Sequence, residues 1–105
     1  MTWTLDTITD MKFDQTVFSG HAIQRMFERG IRARDVEEIV ENGEVIVDYP
    51  DDTPLPSCLI LGFVEDRAIH VVAAMEHPTR TCYVITVYCP NPDLWDPAFR
   101  RRRQP

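Results

Sequence analysis

Two histidines and a handful of arginines are the residues of this 105-residue chain best suited to move protons or hold phosphate. His21 and Arg25 stand four apart in FSGHAIQRMFERG, residues 18–30. That spacing puts both on one helix face, with Glu28 in reach of Arg25. The pair fits a base beside a phosphate-binding cation. It fits equally a solvated flank carrying an Arg25–Glu28 ion pair. His21 falls near the expected helix start, where the dipole weakens its hold on a proton and attracts anions. His70 stands inside the apolar run Ile69-His-Val-Val-Ala-Ala74. Strand alternation groups it with Val72 and Ala74, away from Ile69, Val71, Ala73 and Met75. There it is either a hydrogen-bonded interior residue or a general base on a sheet face that forms a cleft. Thr86 and Tyr88 share a face of the next strand and meet His70 only if the register allows it.

Other chemistries find less support. His21, His70, His77, Cys58, Cys82 and Cys89 contain no CxxC or HExxH spacing, so no metal is expected. Asp48, Asp51 and Asp52 cluster without the regular spacing of a cation loop. No glycine-rich phosphate loop is present, and no cofactor is expected. No local motif marks a nucleophile.

The net charge is −6, and four of the 11 basic residues are Arg100–Arg103. The other seven face 17 acidic residues. An acidic body disfavours general nucleic-acid affinity, whereas its basic end can bind a polyanion or an acidic partner locally. The length fits one domain, residues 1–99, followed by a basic tail, residues 100–105. The modest core such a chain buries is compatible with a dimer or a bound partner. No apolar run is long enough to span a membrane, and MTWTLDTITD lacks the basic start and apolar stretch of a secretory signal. Three unpaired cysteines fit a reducing, cytoplasmic setting.

The elements that must position these groups are legible. Trp3, Leu5 and Ile8 fit a short helix or strand. Met11, Phe13 and Val17 suggest one face of an extended segment. Ser19 caps a helix ending at Gly30, with Ala22, Ile23, Met26 and Phe27 as its apolar stripe. A second helix spans Ala33 to Glu41, completing an αα-hairpin. Past Gly43 the period falls to two. Strands are expected at Val45–Tyr49, Cys58–Val64, Arg67–Met75 and Cys82–Tyr88, with Tyr83 in the core. Short hairpin links favour antiparallel pairing. The expected fold is α+β, an N-terminal αα-hairpin packed on a four- to five-stranded antiparallel sheet. Trp95 and Phe99 pin the proline-rich end, leaving Arg100–Arg103 to project beyond them.

Phe18–Ile31, Gly43–Pro50, Leu61–Phe63, Ile69–Val72 and Ile85–Tyr88 together resemble a family of small, largely bacterial domains. The marks of that family are an H-A-x-x-R-M-x-x-R-G-I block and a later H-V-V. At fold level the family is similar to the RelE/ParE-like toxins, some of which cleave ribosome-bound messenger RNA. The resemblance implies a toxin-like, metal-independent endoribonuclease and matches His21, Arg25, Arg29 and His70 to the family's polar positions, with the basic end Arg100, Arg101 and Arg102 at hand for substrate phosphate. Read with the residues above, the candidate catalytic groups are His21, His70, Arg25 and Tyr88, and Arg29 and Arg80 join the basic end as candidate phosphate holders. RNA or the ribosome and an antitoxin-like protein are the implied partners. Two other readings stand beside it. One is a non-enzymatic protein-binding module that uses the sheet face or the arginine run. In the other, the histidines and arginines simply tie helix to sheet.

Overall fold

Ser19 is the joint on which the N-terminal half turns. Its hydroxyl accepts from the Ala22 backbone N–H at 3.0 Å and donates to the Ile85 carbonyl at 2.7 Å. One side chain thus caps a helix and fastens it to a strand. In the computed structural model, which describes residues 13–103, the capped helix α1 runs Gly20–Arg29. The readings of Trp3, Leu5, Ile8 and Met11 lie outside the described residues. Gly30 ends α1 in the left-handed region, φ 66°, where a side chain would be strained. Ser19→Ala should lower stability by about 1 kcal/mol, read as a shift in the urea midpoint at constant slope.

Helix α2, Ala33–Asn42, starts where the Asp35 carboxylate accepts from the Arg32 backbone N–H at 3.1 Å. It stops at Gly43, whose N–H returns to the Ile39 carbonyl at 2.7 Å. Strands β1 (Gln15–Phe18), β2 (Glu44–Tyr49), β3 (Ser57–Val64), β4 (Arg67–Glu76) and β5 (Thr81–Tyr88) form one sheet in the order β1-β5-β4-β3-β2. The α+β architecture with two helices on one sheet face is as expected, but the sheet is mixed. β2 to β5 pair antiparallel, whereas β1 lies parallel to β5, Gln15 beside Thr81 and Phe18 beside Val84. The reason is the connection. The antiparallel expectation rests on hairpin links, and β1 is followed by the two helices, which carry the chain across the sheet to its far edge.

β4 alternates as the sequence predicts. Ile69, Val71, Ala73 and Met75 join Ala22, Met26, Val36, Ile39 and Val40 in the core between sheet and helices. His70, Val72 and Ala74 face the other way. The stripe expected on α1 is narrower than predicted: Ile23 is 56% and Phe27 88% exposed. Ala22 and Met26 seat the helix, and the residue after each is rotated about 100° away from the sheet. Tyr83, expected in the core, is half-buried.

The face without helices is partly covered by the C-terminal segment. Asn91 collects the Leu94 and Trp95 N–H groups on its carbonyl at 2.9 and 3.1 Å. Asp96 N–H then donates to the Arg101 carbonyl and Arg103 N–H to the Leu94 carbonyl. A small clip results, with Trp95 opposite Arg102. Trp95 is buried. Arg100–Arg103 therefore fold back along the clip rather than projecting from it. Short-range pairing satisfies backbone groups that an extended tail would leave to water.

Candidate functional site

Register settles what alternation leaves open. Leu61, His70 and Tyr88 are direct cross-strand neighbours on β3, β4 and β5, so His70 and Tyr88 stand side by side on the face opposite the helices. His70 is fully buried. Its Nε2 lies 2.8 Å from the Phe99 carbonyl oxygen, which only accepts, so Nε2 carries the proton. Nδ1 is then a bare lone pair, accepting from the Tyr88 hydroxyl at 3.1 Å. The Trp95 ring closes over the imidazole edge-on, centroids 4.5 Å apart at 85°. Burial lowers the His70 pKa below the usual histidine value, and the Phe99 carbonyl works weakly in the opposite direction. The ring is neutral at pH 7.

Phe99 supplies that carbonyl from a left-handed backbone, φ 60°, a conformation costly for a bulky residue. The clip holds the strain in place and aims the oxygen at His70. Tyr88 is half-buried. Burial raises its phenol pKa, and nearby Tyr49 adds to the rise, while the Arg102 charge acts against it. The Arg102 guanidinium lies over the Trp95 ring, 5.7 Å from its centroid. The outcome is a neutral imidazole holding a phenol proton, with a cation beside the phenol. Such an arrangement can relay a proton between Tyr88 and His70 while binding an anion next to them.

The structure thus brings together His70, Tyr88 and Arg102. The other predicted residues lie elsewhere. His21 and Arg25 are exposed on α1, on the opposite side of the sheet, and Arg25 pairs with Glu28 at 3.4 Å. Arg29 is exposed on the same helix, its carbonyl accepting from Arg67 at 2.7 Å. Arg80 sits in the β4–β5 turn, 3.4 Å from Asp14. Arg100 reaches Glu44 of β2 at 2.9 Å, which helps to hold the clip. The Arg101 side chain is exposed.

Sequence reasoning missed Tyr49 and the Phe99 carbonyl as members of this site. Tyr49 carried a signal, an aromatic ending a strand, but no spacing tied it to Tyr88. A backbone carbonyl carries none. Among the described residues no group of three or more His, Cys, Asp or Glu side chains is placed to hold a metal ion. Burial pushes the Cys82 thiol up to about 12 and raises Cys58 further, with Cys82 and Asp48 adding to the latter. Neither is a thiolate nucleophile at neutral pH. No helix among the described residues is long and apolar enough to cross a membrane.

A family model described as a domain of unknown function, DUF4258, matches residues 18–89. The match runs from the end of β1 to just past β5 and stops short of Trp95, Phe99 and Arg102. No curated protein and no solved structure matches the chain.

Proposed function

The chain belongs to the DUF4258 family, and on that premise we propose that it is a toxin-like, metal-independent endoribonuclease whose reacting group is Tyr88. The observation that carries the reading is the hydrogen bond from the Tyr88 hydroxyl to Nδ1 of a buried, neutral His70. RNA cleavage by transesterification needs a base for the 2′-hydroxyl and positive charge on the scissile phosphate. Tyr88 takes the 2′-hydroxyl proton as it passes its own to Nδ1, so no free phenolate forms. The 2′-oxygen bonds to phosphorus, the P–O5′ bond breaks, and the 5′-oxygen takes a proton from water. The product ends are a 2′,3′-cyclic phosphate and a 5′-hydroxyl. Arg102 neutralises the phosphorane, and His70 returns its proton through Tyr88 to solvent. Arg101 extends the positive surface along the RNA. The resemblance to RelE/ParE-like toxins supports the same reading, with an antitoxin-like protein as the inhibitor and a cytoplasmic substrate.

The test is a single-stranded RNA and a cell-free translation reaction, each with EDTA present. Wild type should cleave the RNA to the ends named above and stop translation. Tyr88→Phe and Arg102→Gln should each slow cleavage about a hundredfold. His21→Ala should leave the rate unchanged, since His21 lies on the other side of the sheet. Retention of full activity in Tyr88→Phe would sink the proposal.

A second reading is favoured by a different observation. Both ring nitrogens of His70 are satisfied inside the chain, and Ile23 and Phe27 stand exposed on α1. Those features fit a non-enzymatic protein-binding module. Absence of cleavage by folded wild-type protein selects it.

A further inference from the structure

β3 outruns its neighbour. Pairing with β2 begins at Glu44 opposite Leu61, yet β3 continues to Val64. Among the described residues, 62–64 therefore have a strand partner on the β4 side only. Val64 and Arg67 flank a two-residue turn and form a hydrogen-bonded pair, which directs alternate residues Val64 and Gly62 toward β4. The N–H and C=O of Phe63 point to the open side. A groove of about 490 Å³ lies along this edge, between α2, the end of β3 and the tip of the C-terminal clip. Leu61, Phe63 and Val64 supply apolar surface, and Phe63 is 59% exposed. Asp35, Glu38 and Glu44 line it too; Arg32 pairs with Asp35 and Arg100 with Glu44, which among the described residues leaves Glu38 as the lining carboxylate without an ion pair.

We propose that this groove is a docking site for an extended, basic segment of a partner protein. The backbone of the segment would pair with Phe63 as a short added strand. One of its apolar side chains would cover Phe63, and a Lys or Arg would face Glu38. Charge complementarity selects the occupant. Glu38, left without an ion pair in a chain of net charge −6, attracts a cationic side chain and repels a nucleic-acid backbone. About three residues of extended chain match the unpaired length of β3. The groove excludes Tyr88, His70 and Arg102, so this site stands or falls separately from the ribonuclease reading.

The probe is a fluorescein-labelled peptide, Arg-Val-Lys-Val-Arg, titrated with the full chain and followed by fluorescence polarisation. An otherwise identical Glu-Val-Glu-Val-Glu peptide is the control. Circular dichroism checks that each variant is folded. Wild type should bind the basic peptide saturably and ignore the acidic one. Glu38→Lys, an exposed change, and Phe63→Ser should each weaken binding at least about tenfold. Tyr88→Phe should bind as wild type does. Undiminished binding in Glu38→Lys, or no saturable binding to wild type at millimolar protein, overturns the proposal.

Discussion

His70→Ala should unfold at a much lower urea concentration than wild type, with a loss of about 3 kcal/mol or more. The imidazole is fully buried and packed against Trp95, so its removal leaves a cavity. It also strips the Phe99 carbonyl and the Tyr88 hydroxyl of their partner. An unpaired buried polar group costs more than the hydrogen bond it lost. His70→Gln keeps an amide donor near the Nε2 position and should lose markedly less. The same residue sets a pH dependence. Its folded pKa is depressed by burial, so below the ordinary histidine value of 6.5 the unfolded chain takes up a proton that the folded chain refuses. Its contribution to stability is therefore complete above about pH 6.5 and declines as the pH falls below it. Thermal melts at pH 7.5 and 5.5 check this. The drop in midpoint should be larger in wild type than in His70→Gln, and equal drops would remove His70 as the cause.

Gly62→Ala should cost the fold about 2 kcal/mol or more, for want of space rather than of backbone freedom. A Cβ on Gly62 would stand 2.5 Å from Ile39 Cγ1 and 2.7 Å from its Cγ2. The glycine is what lets α2 press directly on β3. The check is a double-mutant cycle. Ile39→Ala alone opens a cavity, and Gly62→Ala added to it should restore part of the lost stability, giving a coupling of about 1 kcal/mol or more. Strict additivity of the two changes would show that the helix does not bear on Gly62.

The two predictions probe different kinds of legibility. Gly62 stands between the large residues Leu61 and Phe63 in a strand, which is a visible sign of close approach, but nothing in the sequence names Ile39 as the residue that approaches. His70 was visible as a polar interruption of an apolar run. Its face was fixed by alternation, and the structure keeps that assignment. Ser19 and Gly30 bounded α1 correctly, because caps are decided by the side chain and backbone freedom of one residue. The parallel placement of β1 was not legible, since local links say nothing about a strand that returns to the sheet through two helices. Nor was the exposure of Phe27. A hydrophobic stripe reports which helix face is apolar, and the depth at which the helix seats is set by Ala22 and Met26 against the sheet.

The candidate site divides along the same line. Residue type and period determined that His70 and Tyr88 lie on strands and that Arg25 can pair with Glu28. These are interactions over a few residues, and the chain's local geometry dictates them. That His70 meets Tyr88 and not His21, that a Phe99 carbonyl selects its tautomer, and that Arg102 comes to rest by Trp95 were decided only by tertiary structure. Strand register joins His70 to Tyr88, 18 positions on, and the fold of the clip returns the Phe99 carbonyl to His70 across 29. Such contacts depend on which buried faces and backbone groups the whole chain can satisfy at once.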